Sequence, residues 1–272
     1  MRHRGQIVLP RLALIAREFG GAYLTALPRI LYHTTLGTLL SPRRTLRFHQ
    51  NILDEAALWG ADPVLGTKSF PEFLGAPASS PPDISIRGNF IDDPSGVMGS
   101  LRELSVLLCT IREVKAKRIF EIGTFVGWTT RLIAMNVDEG AEVFTLDLPQ
   151  ESVAHTVGER FHGSPEAAKI KQLAGDSLHF DFSSWYGGID FCLVDASHEY
   201  ECVAADTRNA FRMVRPGGVI LWHDYRHSQW WSGVTRAVRE ASRRIGGGIF
   251  HVKGTAMAGC RVTEASKALM SR

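Results

Sequence analysis

The sequence predicts an α/β domain built on a parallel sheet with helices on both faces. Three observations carry that expectation. From Lys117 onward, short apolar segments alternate with stretches whose apolar residues recur at helical spacing. The apolar segments end, one after another, on an acid or a histidine. A turn with glycines at 123 and 127 joins the first such segment to a helix.

Taken in order, residues 1 to about 60 alternate helical-looking segments with prolines at 10, 28 and 42, which breaks them into short helices. Residues 1–75 are read as a helical N-terminal extension, packed on the catalytic domain or on a second subunit. Residues 76–95 are read as a linker, because Gly75-Ala-Pro-Ala-Ser-Ser-Pro-Pro-Asp83 opposes regular structure. Residues 96–265 form the main domain. Leu101, Leu104, Leu107 and Leu108 mark a helix before the first strand. Arg118 to Ile122 is that strand, and a helix starts near Gly127 and runs to Met135. Val143 to Leu146 is the second strand and ends on Asp147. A third apolar segment precedes Gly175-Asp176-Ser177. Ile189 to Val194 is the fourth strand and ends on Asp195. A helix from Tyr200 to Met213 follows, and Pro216-Gly217-Gly218 turns the chain into a fifth strand ending at His223-Asp224-Tyr225. Val234 to Arg244 is a further helix. Ile249 to Val252 and Ala256 to Val262, joined without a long crossover, read as an antiparallel pair.

In an open α/β sheet, ligands collect beyond the carboxyl ends of the strands. Glu121, Asp147, Asp176, Asp195 and His223 all fall at or just beyond such ends. Gly123 permits positive φ and brings backbone N–H groups close to a ligand. The helix start after Gly127 offers N–H groups to an anion. Asp147 stands where an acid grips a ribose diol. Phe125 occupies the middle glycine position of the dinucleotide fingerprint, and no Tyr-x-x-x-Lys pair occurs, so a nicotinamide-dependent dehydrogenase is disfavoured. Asp176 reads equally as a helix cap.

Glu121-Ile-Gly-Thr-Phe-Val-Gly-Trp-Thr129, with the ordered motifs after it, resembles the class I S-adenosylmethionine-dependent methyltransferases over roughly residues 95 to 263. Within them it resembles bacterial O-methyltransferases that modify sugars and antibiotics, and its first motif is similar to that of catechol and caffeoyl-coenzyme A O-methyltransferases. The resemblance implies a Rossmann-like, doubly wound sheet of seven strands in the order 3-2-1-4-5-7-6, with strand 7 antiparallel. It also implies a cofactor site of Glu121, Gly123, Thr124, Gly127, Thr129, Asp147, Asp176, Ser177 and Asp195. Asp147 would take the ribose, the Asp176-Ser177 region the adenine, and Gly123, Thr124 and Thr129 the methionine part. His198, three residues after Asp195, is the first candidate base, at the place where metal-dependent relatives carry a lysine; it also reads as a cap for the following helix. Asp195, His223 and Asp224 fall where those relatives hold a divalent metal. An imidazole in that set suits a softer ion better than magnesium, and His223 also reads as a second base with no metal present.

The expected activity is methyl transfer from S-adenosylmethionine to a hydroxyl oxygen of a small molecule or glycan. A cofactor-binding scaffold that docks a membrane or a biosynthetic partner is the alternative. Trp222, Tyr225, Trp230 and Trp231 are candidate walls of the acceptor pocket, though aromatic residues near a strand end are more often packing, and Met98 reads as a cover for the site or equally as core. A composition with 44% hydrophobic and 22% charged residues is that of an ordinary globular protein. The net charge of +3 is unevenly spread: Arg2, Arg4, Arg11, Arg17, Arg29, Arg43, Arg44 and Arg47 face a single acid, Glu18, in the first fifty residues. That basic region suits peripheral contact with an anionic membrane or a partner, and a homo-oligomer is also open. The main domain is not basic and has no Asn-Pro-Pro-Tyr motif, which disfavours nucleic acid. No apolar run reaches a membrane span, and the four cysteines form no C-x-x-C pair, so a cytoplasmic protein with reduced thiols is expected.

Overall fold

The computed structural model describes residues 58–75 except 63, 83–86, 100–226 and 231–271, together with positions 28, 31, 32, 40 and 45. The chain divides into two units, 1–54 and 55–272. The described positions of the first unit are helical, and the rest of the expected helical extension, with the basic residues it carries, lies outside the described residues.

The second unit is built on an eight-stranded sheet. Its strands are β1 (Thr67–Lys68), β2 (Arg118–Ile122), β3 (Glu142–Asp147), β4 (Ile170–Ala174), β5 (Ile189–Val194), β6 (Val214–Trp222), β7 (Phe250–Val252) and β8 (Met257–Arg261). They lie in the order β1-β7-β8-β6-β5-β2-β3-β4. Counted from β2 as the first strand, this is the expected 3-2-1-4-5-7-6 with one further strand at the edge. All neighbours pair in parallel except β8, which is antiparallel to β6 and to β7.

The added edge strand corrects the expected boundary at residue 75. β1 pairs with β7, and α1 (Phe70–Leu74) follows it, so Thr67–Lys68 belong to the sheet and not to a helical extension. Two residues of strand carry too little pattern to be seen in sequence. Part of the expected linker is likewise anchored: the Ser85 amide donates to Asn136 Oδ1 (2.6 Å), and Ile84 and Ile86 pack on the core. The remainder of 76–95, and Met98, lie outside the described residues.

Strand residues alternate between two cores. Phe120, Ile122, Cys192, Val194, Ile220 and Trp222 face α4 (Tyr200–Met213), α5 (Trp231–Arg244) and α6 (Glu264–Met270). Ile119, Val143, Phe191, Leu193, Val219 and Leu221 face α2 (Leu101–Glu113) and α3 (Trp128–Met135). This two-residue period, with apolar side chains on both faces, follows from a parallel sheet covered by helices on each side. The expected turn at Pro216-Gly217-Gly218 lies inside β6 as an irregularity: Val214 pairs with Ile189 and Val219 with Phe191. A Cβ at Gly218 would lie 2.6 Å from the Asp190 carbonyl oxygen, so the bulge needs glycine there.

Among the described residues no helix is long and apolar enough to cross a membrane. The four cysteines are free, and Cys109, Cys192 and Cys260 are buried.

Candidate functional site

The carboxyl ends of β2, β3, β4, β5 and β6 share one edge of the sheet, which brings Glu121, Asp147, Asp176, Asp195 and His223 to that edge. Between β2 and α3 the chain makes a tight loop. Gly123 has φ +107°, and a Cβ on it would lie 2.6 Å from the Asp195 carbonyl carbon and 2.8 Å from Ala196 Cα. The glycine is therefore demanded by the approach of the β5 end as much as by any ligand. Gly127 caps α3 at φ +87°, where a Cβ would strike the Phe161 ring. Phe125 takes φ +49° without being glycine, and its exposed ring lies 4.3 Å from that of His155.

Asp147 holds this loop from the next strand. Its Oδ2 accepts from the amides of Thr124 (2.9 Å) and Phe125 (2.6 Å), and its Oδ1 from Leu148 (2.7 Å). Each carboxylate oxygen has two lone pairs, so Oδ1 still has capacity for one hydroxyl of a diol. Behind the loop, Glu121 is wholly buried. Its Oε2 accepts from the hydroxyls of Thr130 and Thr145, the latter at 2.6 Å, and Thr145 in turn meets Thr124 Oγ1 at 2.7 Å. Burial pushes the Glu121 carboxyl up to about 8, against the lowering effect of the two hydroxyls. Oε1 has no hydrogen-bond partner among the described residues. Glu121 thus anchors the loop from beneath and does not present an open carboxylate to a ligand. Thr129 lies buried in the first turn of α3, at the end that favours an anion.

Asp176 is a local cap. Its Oδ1 accepts from the Leu178 amide (3.0 Å) and its Oδ2 meets His179 Nδ1 (2.9 Å), and these contacts hold its carboxyl below the usual range. Ser177, beside it, is half-buried.

The densest chemistry lies at the ends of β5 and β6. His223 is buried, with Nδ1 3.1 Å from Asp195 Oδ1 and 3.4 Å from Asp224 Oδ2, and Nε2 3.7 Å from Glu103 Oε2. Burial disfavours its charge, but the three carboxylates outweigh this and raise the imidazole well above its ordinary range. Three carboxylates around one buried ring favour its protonated form, which weighs against a second base at His223. His198, a third exposed, places Nε2 2.7 Å from Asp224 Oδ2. Burial opposes the charge of Asp224, yet the bonds from His198 and His223 hold its carboxyl far below the usual range. A carboxylate can only accept, so His198 Nε2 carries a proton in this contact. His198 is thus more than a helix cap.

Asp195, His223 and Asp224 each turn one ligand atom into a set whose members all lie within 4.8 Å of one another. Two carboxylate oxygens and an imidazole nitrogen fit a divalent ion of intermediate softness better than magnesium. Such an ion would replace the His223 proton as the cation among these acids.

Glu103 is a site residue that the sequence does not announce. It sits in the first turn of α2, where Ser100-x-x-Glu103 looks like a helix-start signature, and Ser100 Oγ does accept from the Glu103 amide (3.3 Å). The Glu103 side chain also turns inward: Oε1 accepts from the Ala256 amide (2.6 Å), and Oε2 accepts from the Ser100 hydroxyl (3.2 Å) and faces His223. Of the two readings of the aromatic residues, packing holds for Trp222 and Tyr225. Trp222 and Tyr225 are fully buried, the former with its Nε1 donating to Thr207 Oγ1 (2.9 Å), the latter with its hydroxyl donating to Asp62 Oδ2 (2.8 Å). Both fill core because Trp222 ends a central strand and Tyr225 shares a buried cluster with Leu65, its hydroxyl on Asp62. Trp230 and the side chain of Trp231 lie outside the described residues.

Residues 120–225 match the model of a family described as a methyltransferase domain, a span that includes every strand end of this site. These residues are thus similar to a methyltransferase domain. A protein of Acanthamoeba polyphaga mimivirus, known as uncharacterized protein R132, is 28% identical to this chain over 146 residues, covering 52% of the chain. The match spans 66% of that relative's length. Among solved structures, a protein of Staphylococcus aureus assigned as a caffeoyl-CoA O-methyltransferase superposes with a TM-score of 0.51 at 13% identity, over 63% of this chain and 88% of that one. The O-methyltransferase TomG of Streptomyces achromogenes, solved with S-adenosylmethionine, gives 0.49 at 20% identity, over 64% and 86%. At 13% identity the superposition on the Staphylococcus aureus protein is a likeness of fold, and the sheet described above is Rossmann-like.

Proposed function

We propose that the methyltransferase domain transfers a methyl group from S-adenosylmethionine to a hydroxyl oxygen of a small molecule or glycan. The observation that carries this reading is the His198–Asp224 pair at 2.7 Å, held at the same sheet edge as the Asp147-pinned loop. The start of α3, with Thr129, suits the methionine carboxylate, Asp147 Oδ1 the ribose, and the Asp176-Ser177 turn the adenine edge.

The sulfonium needs no activation, so the protein must align the acceptor oxygen with the methyl carbon and remove its proton. In the step proposed, the oxygen attacks the methyl carbon, the carbon–sulfur bond breaks, and its electron pair returns to sulfur. His198 takes the hydroxyl proton at Nδ1, and the Asp224 carboxylate stabilises the imidazolium formed. Asp195, His223 and Asp224 would hold a divalent ion, which when bound would orient and polarise the acceptor hydroxyl.

The test is labelled methyl transfer from S-adenosylmethionine into a panel of hydroxylated acceptors and glycans. His198→Ala should lower turnover by about 10²–10⁴-fold, as for loss of a general base, with S-adenosylhomocysteine affinity unchanged. Full turnover in that variant overturns His198 as base, and absence of cofactor binding in the wild type overturns the reading altogether.

A further inference from the structure

Directly after His223, the β6 end runs through a strained corner. Asp224 has φ +55° and Arg226 φ +65°, in a left-handed region that side-chain-bearing residues seldom enter. Such a conformation persists only where the surroundings over-determine it. The corner's backbone is held by the Tyr225 amide on the Ala256 carbonyl (2.9 Å) and the Arg226 amide on Thr235 Oγ1 (2.9 Å), and its side chains converge on one buried carboxylate, that of Asp62. Its Oδ2 accepts from the Tyr225 hydroxyl (2.8 Å) and from Arg239 Nη2 of α5 (3.0 Å), and lies 3.6 Å from Arg226 Nε. Its Oδ1 accepts from the amides of Val64 (2.8 Å) and Leu65 (2.9 Å), and its own amide donates to Thr67 Oγ1 (2.7 Å). Arg226 also reaches back to the Gly60 carbonyl (3.1 Å). The strap that carries Asp62 is fixed in turn by the β1–β7 pairing and by the Gly254 amide on the Leu58 carbonyl (2.8 Å).

We propose that Asp62 is a positioning residue of the methyl-transfer site: from behind the sheet edge it sets the Tyr225-Arg226 corner, and through that corner the Asp224 carboxylate that holds His198. The assignment of a catalytic purpose rests on the methyl-transfer reading; the mechanical link from Asp62 to His198 does not. Asp62 touches neither His198 nor any ligand-facing atom of the Gly123–Gly127 loop. Its influence must pass through the backbone of residues 224–226, where a displacement of about 1 Å is enough to cost on the order of 10²-fold in rate.

The experiment uses the full-length chain with no acceptor. Histidine ¹⁵N–¹H NMR reads the Nε2–H of His198, assigned by its loss in His198→Gln, in wild type, Asp62→Asn and Tyr225→Phe. Calorimetry with S-adenosylhomocysteine and thermal unfolding are measured on the same samples. Asp62→Asn should shift or broaden the His198 Nε2–H signal, and Tyr225→Phe, which removes one hydroxyl from the link, should shift it less. Affinity for S-adenosylhomocysteine should stay within about threefold, because the loop pinned by Asp147 is untouched. An unchanged His198 signal in a variant whose unfolding midpoint has dropped overturns the proposal and leaves Asp62 a purely structural anchor. If Asp62→Asn does not fold, Tyr225→Phe decides, since its ring packing is retained: an unshifted signal there overturns the proposal. Failure of wild type to bind S-adenosylhomocysteine overturns the functional reading instead, and the NMR comparison still settles the link.

Discussion

Replacing Gly123 by alanine adds one methyl group where the β2 and β5 ends touch. Two costs arise. At φ +107° an L-residue is strained by roughly 1–3 kcal/mol. The new Cβ would also lie 2.6 Å from the Asp195 carbonyl carbon, inside van der Waals contact, and overpacking of this kind costs about 1–3 kcal/mol as the backbone shifts. Gly140 supplies the control, because it has φ +81° and a methyl group added there would meet nothing within 4 Å, so Gly140→Ala bears the strain alone. Urea unfolding followed by circular dichroism should therefore place Gly123→Ala below Gly140→Ala by about 1–3 kcal/mol, with equal denaturant slopes. Calorimetry should show weakened S-adenosylhomocysteine binding for Gly123→Ala only, since relief of the overlap moves the loop whose amides Asp147 holds. Equal stability and equal affinity in the two variants would refute the claim that close approach, and not conformation alone, demands glycine at 123.

Glu121→Gln tests the buried carboxyl. Its folded-state value of about 8 lies above the ordinary 4.5, so the folded chain keeps a proton that the unfolded chain releases, and stability falls as pH rises between those values. The wild-type curve should carry about 1.4 kcal/mol per pH unit of falling slope that Glu121→Gln lacks; parallel stability curves for the two proteins would sink the idea. Asp62 should behave in the opposite sense. Burial raises its carboxyl, but the Leu65 and Val64 amides, Tyr225 and Arg239 bring it down from 3.8 to about 2, so it stabilises above pH 3.8 and that contribution is lost as pH falls towards 2. Asp62→Asn should thus narrow its deficit relative to wild type by about 2 kcal/mol across that window, measured by denaturant titration at each pH. Asp147→Ala should weaken S-adenosylhomocysteine by more than the roughly 1.5–3 kcal/mol of a charged hydrogen bond, because it also frees the amides of Thr124 and Phe125; a smaller loss by calorimetry would show that the loop holds without it. Chelation followed by divalent-ion titration, read by calorimetry on the apoprotein, should show a manganese or zinc isotherm in wild type that Asp195→Ala removes, and identical isotherms would take these residues out of any metal site.

Local signals made most of this domain legible. The strands Arg118–Ile122 and Ile189–Val194 and the helix Tyr200–Met213 have the bounds that their apolar periods announce, because a strand buried on both faces and a helix buried on one leave those periods in the chain itself. The acids at the strand ends were visible for the same reason, as was the antiparallel closing pair. Which partners those acids take was not. Glu103 wears the pattern of a helix start and serves a histidine 120 residues away; Asp62 lies in a segment with no periodicity and holds an arginine and a tyrosine beyond residue 220. Tyr225 and Trp222 have the composition of pocket aromatics, and only the residues packed over them make them core. Sequence alone determined the order of elements and the chemistry available at one edge of the sheet, since both depend on neighbours a few residues apart. Only the tertiary structure decided which carboxylates surround His223 and which one meets His198, because a charge takes its state from whatever the fold brings within about 4 Å of it.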